Sequence, residues 1–148
     1  MTTRVNVYSC LLVLQVLMGL GVLSAWAQMD PTKVLVGKWE GRVELPESSE
    51  RTLIIESVTP EDGGWVAEGR FGLTGEKLGR RSIQVSQRGG DIILVFETGA
   101  KTQNPVRLKL VGERKLEGTI NIVVGGPNKT SNRSFKLEKV EPKAGDVK

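Results

Sequence analysis

Residues 39–45, WEGRVEL, decide the fold because apolar and polar side chains alternate along them without a break. One face carries tryptophan, glycine, valine and leucine, and the other carries two glutamates and an arginine. A period of two is typical of a β-strand with one face buried and the other in water. The same alternation returns in seven further segments separated by glycine-rich turns, and no long segment has the period of a helix. The sequence therefore predicts an all-β fold.

The architecture follows from the number of strands and the length of their connections. The predicted strands are residues 39–45, 51–58, 65–71, 80–87, 92–97, 106–111, 116–124 and 134–140. Every connection is short enough for a hairpin, so we predict an eight-stranded antiparallel up-and-down meander, closed into a barrel that leaves no free edge. The alternative is an open sheet or a sandwich, although a Greek-key sandwich needs a long crossover that these connections do not supply.

The predicted connections fall into two groups that alternate along the chain. Those after the odd-numbered strands have five to nine residues, and those after the even-numbered strands have three to six. Alternate connections of a meander lie at the same end, so the pattern predicts a cup with long loops at its mouth and tight turns at its floor. Chance variation in loop length is the alternative explanation.

The first 27 residues are predicted to be a signal peptide. The apolar run 11–27 ends in alanine, tryptophan and alanine, which places the cleavage site between Ala27 and Gln28. An uncleaved membrane anchor is the alternative, but the run is at the short limit for crossing about 30 Å of hydrocarbon. We therefore expect an exported protein, periplasmic or extracellular, in which residues 28–148 form a single barrel domain with a short polar C-terminal tail.

Composition excludes several classes of site. The chain has 148 residues, no histidine and one cysteine, Cys10, which lies in the predicted signal peptide. Imidazole catalysis, histidine-ligated metal, a cysteine zinc cluster and an intramolecular disulfide are therefore excluded, and we expect neither metal nor cofactor. The net charge is +4, and cleavage removes Arg4 to leave +3. Nucleic-acid binding is not expected, because it needs a denser basic patch with exposed aromatic side chains.

A short motif before and within the first strand points to a known superfamily. Gly37, Lys38 and Trp39 match the G-x-W pattern of lipocalins, and residues 30–35, DPTKVL, have a capping aspartate followed by proline, as at the start of a helical turn. With the eight-strand meander, the chain resembles the calycins, which include lipocalins, fatty-acid-binding proteins and avidins. The resemblance implies a lipocalin-like barrel whose helical turn crosses the closed end above the tryptophan.

Stand-alone catalysis is not predicted for this chain. The inward face inferred for each strand contains apolar residues and glycine but no acid or base, and the strand glutamates all fall on the outward face. General acid–base catalysis needs an ionisable group in a desolvated pocket. We therefore predict no catalytic residue and no enzymatic activity.

Eight side chains form the predicted ligand-binding site. The apolar walls are Trp39, Trp65, Phe71 and Phe96. The basic residues expected near the mouth are Lys77, Arg80, Lys101 and Lys129. Inward glycines at positions 41, 69 and 118 would leave space for a ligand, or else would permit the coiling that barrel closure demands.

Two functional classes remain open at this point. The first is a binding module for a small apolar or anionic amphipathic ligand cupped in the barrel. The second is a protein-interaction domain of the cell envelope, an inhibitor or accessory subunit that acts through its loops and has a fully packed core. Contact with a membrane is expected only through an uncleaved signal peptide.

One strand register is specific enough to be tested. We predict that the fifth and sixth strands pair with residue numbers summing to 204, which sets Phe96 opposite Leu108 on the inside. The same register sets Glu97 opposite Arg107 on the outside. A slip by one residue would turn one strand's apolar set outward, so the inside pairs must have matching parity.

Overall fold

The computed structural model describes residues 29–44, 49–99, 105–123 and 129–141, which form one short helix and eight strands. The elements are α1 (Pro31–Val34), β1 (Gly37–Val43), β2 (Ser49–Glu61), β3 (Gly64–Leu73), β4 (Gly79–Arg88), β5 (Asp91–Glu97), β6 (Pro105–Val111), β7 (Lys115–Val123) and β8 (Thr130–Val140). All neighbouring strands are antiparallel and pair in sequence order, and β8 also pairs with β1 to close the barrel. The predicted closed meander is confirmed, and it is compatible with a calycin-like fold.

The core is the inward row of each strand. In β6, PVRLKLV, valine and leucine at every second position are buried while the residues between them are exposed. The other strands contribute matching rows, which meet inside the barrel. The buried apolar side chains include Val43, Leu53, Ile55, Ala67, Ile83, Val85, Ile92, Leu94, Leu108, Leu110, Leu116 and Leu137. Burial of this continuous apolar surface is the main favourable contribution to folding.

The two ends of the barrel differ as the sequence predicts. Connections 62–63, 89–90 and 112–114 lie at one end, together with α1, and we call this the closed end. The strand ends that flank the longer connections, 44–48, 74–78, 98–104 and 124–129, lie at the other end, which we call the mouth. Each strand therefore runs between a closed end with tight turns and a mouth with longer connections.

The N-terminal helical turn is built into the closed end. The Asp30 carboxylate accepts hydrogen bonds from the Thr32 amide at 3.0 Å and the Thr32 hydroxyl at 2.7 Å, and proline follows the cap. The Trp39 indole Nε1–H donates to the carbonyl oxygen of Leu35 at 2.9 Å, and the ring is fully buried. The turn therefore sits over the tryptophan as the resemblance to lipocalins implies.

Three inward glycines allow neighbouring strands to approach closely. A Cβ on Gly41 would lie 1.9 Å from the Lys136 carbonyl oxygen, and one on Gly118 would lie 1.9 Å from that of Arg107. At Gly69 the corresponding distance, to the Ile54 carbonyl oxygen, is 2.2 Å. Any side chain there would force the backbones apart, so strand approach alone accounts for these three glycines.

The predicted register of β5 and β6 is wrong by two residues. Phe96 pairs with Val106 and Leu94 with Leu108, so paired numbers sum to 202 rather than 204. The faces are as predicted, because a shift by two keeps every side chain on its side of the sheet. Glu97 therefore does not face Arg107.

The ion pair between β5 and β6 lies at the open end of their hairpin, away from the connection between the two strands. Lys109 Nζ on β6 lies 2.7 Å from a carboxylate oxygen of Asp91 on β5. Lys109 pairs with Ile93 in the sheet, so this ion pair is a diagonal contact with the residue two positions before Ile93. The predicted pairing of Glu97 with Arg107 is therefore wrong, and an exposed ion pair such as Lys109 with Asp91 contributes too little free energy to fix the strand alignment.

Parts of the sequence predictions concern residues outside the described ranges. The predicted signal peptide, residues 1–27, lies there, and so does residue 28, the predicted start of the mature chain. Residues 142–148 of the predicted C-terminal tail also lie there. Within the described ranges, no helix has the length and apolar character needed to cross a bilayer.

Candidate functional site

An open cavity of about 460 Å³ lies at the mouth of the barrel. It is lined by residues of β2, β3, β4 and β7 and of the connections beside them. Its apolar lining includes Phe71, Leu73, Ile120 and Ile122, and its polar lining includes Arg51, Glu76, Lys77, Arg81, Thr98 and Asn121. The cavity thus combines an apolar floor with a charged rim, which is the composition of many small-molecule sites.

Two arginines of this rim come from the inward face of the barrel. Arg51 precedes the buried Leu53 by two residues in β2, and Arg81 precedes the buried Ile83 by two in β4. Side chains two apart share a face of a strand, so both guanidiniums project into the barrel at the mouth. The expectation that no base faces inward is therefore wrong.

The same correction applies to β8. Arg133 precedes the buried Phe135 by two residues and is half-buried, and it pairs with Ile120, whose side chain lines the cavity. Three strands, β2, β4 and β8, therefore each carry an inward arginine two residues from the apolar core, on the side of the mouth.

These arginines have hydrogen-bonding capacity that the described residues do not use. The Nε atoms of Arg51, Arg81 and Arg133 are buried and have no hydrogen-bond partner in the described part of the chain. The remaining buried and unpartnered side-chain atom there is the Ser49 hydroxyl oxygen, which also lies at the mouth. Buried polar groups are normally paired, and an exception calls for an explanation such as a ligand.

The surroundings of the two cavity arginines differ. Arg81 donates through Nη1 to the Arg80 carbonyl oxygen at 2.5 Å and through Nη2 to the Thr98 carbonyl oxygen, which fixes the direction of its guanidinium. Burial lowers the pKa of Arg51, and the nearby charge of Glu76 opposes that shift. Arg51 is therefore a cation in a partly desolvated position, where an anion would be attracted more strongly than in water.

A cluster of three phenylalanines closes the barrel beneath the cavity. The ring of Phe71 packs edge-to-face on Phe96, with centroids 5.2 Å apart, and on Phe135 at 5.9 Å. All three are at most 3% exposed. Because these packed rings and their buried neighbours lie beneath the cavity, an apolar group entering at the mouth would rest on Phe71 rather than pass into the interior.

The predicted site residues are divided between the two ends of the barrel. Phe71, Phe96 and Lys77 lie at the mouth, where Phe71 and Lys77 line the cavity and Phe96 supports its floor. Trp39 and Trp65 lie at the closed end, and Trp65 borders a small cleft beside Met29, Pro31 and Gln87. The structure therefore brings three of the predicted residues together and places both tryptophans elsewhere.

The other predicted basic residues do not line the cavity. Arg80 is exposed on the outward face of β4, and Lys129 is exposed at the mouth just before β8. Lys101 lies outside the described residues. The bases that do border the cavity, besides Lys77, are the two that the sequence prediction missed.

The missed arginines had a signal in the sequence. Each stands two residues before an apolar core position, so continuing the alternation outward from Leu53, Ile83 and Phe135 would have placed it on the inward face. The predicted strands 51–58 and 80–87 already contained Arg51 and Arg81, but we assigned only apolar residues and glycine to the inward face, and Arg133 was assigned to the connection before the last strand.

The closed end also has an inward base, but that base is paired. Lys139 Nζ donates to the Val34 carbonyl oxygen at 2.6 Å and lies 5.2 Å from the centroid of the Trp39 ring. Burial is the main cause that lowers the pKa of Lys139, the charge of Arg114 adds to it, and Glu113 opposes it. Lys139 thus ties α1 to the barrel, a structural role that needs no ligand.

Comparison with protein-family models, curated proteins and solved structures yields no match for this chain. In the described part of the molecule, no three acidic or cysteine side chains are grouped closely enough to hold a metal ion. Any proposal about function therefore depends on the geometry of the mouth.

Proposed function

We propose that this protein is an exported, non-catalytic binding module that holds a small amphipathic anion at the mouth of its barrel. The acid group of the ligand binds Arg51 and Arg81, and its apolar part lies on Phe71 and Ile120. One observation supports the proposal most strongly: two inward arginines share a cavity with an apolar floor, and their buried Nε atoms have no hydrogen-bond partner among the described residues.

The charge and direction of the arginines support an anionic ligand. A guanidinium presents several N–H donors in a fixed plane that matches carboxylate, sulfonate or phosphate oxygens. Arg81 is held in place by two backbone carbonyl groups, so its remaining donors are oriented before a ligand arrives. Preorganisation of this kind lowers the entropy cost of binding.

The packed interior limits the apolar part of the ligand. Below Phe71, the barrel is filled by Phe96, Phe135 and the buried residues of the strands, and the inward glycines are required by neighbouring backbone. A short alkyl or aromatic group fits a cavity of about 460 Å³ bounded in this way. The ligand is therefore proposed to sit at the mouth and not deep in the barrel.

Calorimetry with a short-chain amphiphile tests this proposal. Hexanesulfonate keeps one negative charge at any accessible pH, and hexylammonium has the same chain with a positive charge. We expect the sulfonate to bind and the ammonium not to bind. Binding of both with similar affinity would show that the cavity selects only the apolar chain, and binding of neither would contradict the proposal.

Two adjacent arginines provide a matched pair of variants. Arg81→Gln removes an inward guanidinium, and we expect hexanesulfonate to bind about ten- to a hundredfold more weakly, because a hydrogen bond to a charged group contributes about 1.5–3 kcal/mol. Arg80→Gln makes the same change of charge on the outward face and should leave affinity within about twofold. Arg51→Gln repeats the test on β2, and circular dichroism establishes that each variant is folded. Equal effects at positions 80 and 81 would contradict the inward site.

A second candidate function is a protein-interaction, inhibitor or accessory domain of the cell envelope. The packed interior favours it, because a barrel whose described inward side chains form a buried apolar core can act through its loops and outer face. Native mass spectrometry of the protein purified from its own host separates the two. A co-purifying small mass supports the binding module, and a second polypeptide in stoichiometric amount supports the interaction domain.

A further inference from the structure

We infer that the acid group bound at the mouth is the dianion of a phosphate monoester carrying a short apolar group, bound between Arg51 and Arg81. This inference rests on the proposed function and narrows it from anions in general to one chemical class. Neither the resemblance to calycins nor the choice of an amphipathic anion implies it.

The balance of charges around the cavity favours a dianion. Arg51, Arg81 and Lys77 line the cavity with three positive charges, and Glu76 supplies one negative charge. Lys77 and Glu76 are exposed, so water compensates their charges, whereas Arg51 and Arg81 are half-buried. A monoanion would compensate the charge of one of these two arginines, and a dianion would compensate both. A phosphate monoester carries a charge of about −1.5 to −2 at neutral pH, which compensates the excess.

The placement of the arginines favours a ligand with three acceptor oxygens. Arg51 lies on β2 and Arg81 on β4, with β3 between them, so the cavity receives its two arginines from two separate strands. A carboxylate has two oxygens, and a single arginine can engage both in a fork. The three terminal oxygens of a phosphate monoester can serve both arginines at once.

The absence of histidine gives this inference a clear experimental signature. The groups that face the cavity are Arg51 from β2, Arg81 from β4, and Glu76 and Lys77 from the connection before β4, with Arg133 on β8 beside Ile120. The sequence has no histidine, the side chain that ordinarily titrates between pH 5 and 8. A phosphate monoester loses its second proton near pH 6, so a pH dependence in this range would come from the ligand.

The test compares hexyl phosphate with hexanesulfonate by calorimetry at pH 7.5 and pH 5.0. Both have three acceptor oxygens and the same chain, but only the phosphate can carry two charges. We expect hexyl phosphate to bind more tightly at pH 7.5 and to lose about tenfold in affinity at pH 5.0, where about one molecule in ten is dianionic. Hexanesulfonate should change by less than about twofold, and it also reports any change in the protein itself.

The outcomes separate this inference from the proposed function. If both ligands bind equally well, or if the affinity for hexyl phosphate does not depend on pH, the mouth binds anions but has no preference for a phosphate dianion. If neither ligand binds at either pH, the proposed function fails together with the inference. Arg51→Gln should reduce the difference between phosphate and sulfonate, whereas the outward Arg80→Gln should preserve it.

A phosphate monoester could be a free metabolite or the headgroup of a lipid. Cosedimentation with phosphatidylcholine vesicles, with and without phosphatidic acid, distinguishes the sources. Binding to hexyl phosphate together with vesicles that contain phosphatidic acid assigns the phosphate to a lipid surface. Binding to hexyl phosphate alone assigns it to a free ester, which is the result that the closed aromatic floor leads us to expect.

Discussion

Each end of the barrel has half-buried inward basic residues, and their hydrogen bonding differs between the two ends. At the closed end, Lys139 donates to the Val34 carbonyl oxygen and lies over the Trp39 ring. At the mouth, Arg51 and Arg81 keep buried Nε atoms that find no partner in the described part of the chain. Lys139 is hydrogen-bonded to the protein that surrounds it, whereas Arg51 and Arg81 each retain an N–H donor that a ligand can use.

Hydrogen bonding within the protein is therefore a criterion that separates structural from functional charges in a small barrel. A buried donor without a partner costs free energy, so several such donors at one end point to a partner outside the protein, which is water in the free protein and a ligand in the complex that we propose. The buried donors at the closed end connect a helix to the sheet, and removing them should weaken the fold. The donors at the mouth should matter for binding much more than for folding.

The largest expected effect is at the closed end. Trp39→Ala should lower the free energy of unfolding by about 3–5 kcal/mol, because it removes a fully buried ring and leaves a cavity beneath α1. Trp39→Phe keeps most of the buried ring but loses the Nε1–H bond to Leu35, so we expect a smaller loss. Denaturant unfolding measures both, and an unchanged midpoint for Trp39→Ala would show that this end is not the structural one.

A smaller loss is expected at the wall between the two ends. Gly118→Ala would place a Cβ 1.9 Å from the Arg107 carbonyl oxygen and should cost about 1–3 kcal/mol through forced strand separation. Gly72→Ala is the matched control, since its nearest atom is the Cδ2 of Leu78 at 3.1 Å, in a side chain that can move. Equal stability of the two variants in denaturant unfolding would mean that the close approach of β6 and β7 is not required.

The smallest effect is a pH dependence that belongs to Lys139. Its pKa is lowered below the ordinary 10.5, chiefly by burial, so the unfolded chain binds its proton more readily just below that pH. The free energy of unfolding should therefore rise as pH increases from the folded pKa to 10.5. Lys139→Met lacks this contribution, so the stability difference between wild type and variant should grow with pH in that window. A difference that stays constant or shrinks on denaturant unfolding would contradict the burial of this amine.

Much of the fold could be predicted from local pattern. Alternation in segments such as 39–45 specifies which side chains face inward, and short connections leave a meander as the simplest topology. The register of β5 and β6 could not be derived in the same way, since pairings that sum to 202 and 204 bury the same residues. The choice between the two registers depends on the stagger of all eight strands in the closed barrel, and the sequence of one hairpin does not determine that stagger.

The candidate site was predictable only in part. Phe71 and Phe96 follow from the apolar alternation, but whether an aromatic side chain lies at the mouth or the closed end depends on its height along the strand. Trp65 was predicted to share a site with Phe71, yet it lies near the start of β3 while Phe71 lies near its end. Arg51 and Arg81 were missed because we took a charged residue at a strand end to be solvated, although its parity placed it inside.

Nuclear magnetic resonance with hexanesulfonate tests most directly that the mouth binds and the closed end does not. During the titration, we expect the amide signals of Phe71, Thr98 and Ile120 to shift with one common saturation curve. Trp39 and Trp65 lie at the opposite end, so their indole N–H signals should not shift. Indole shifts as large as those at the mouth would place the ligand in or beneath the barrel and would contradict the account, as would a titration in which no mouth signal moves.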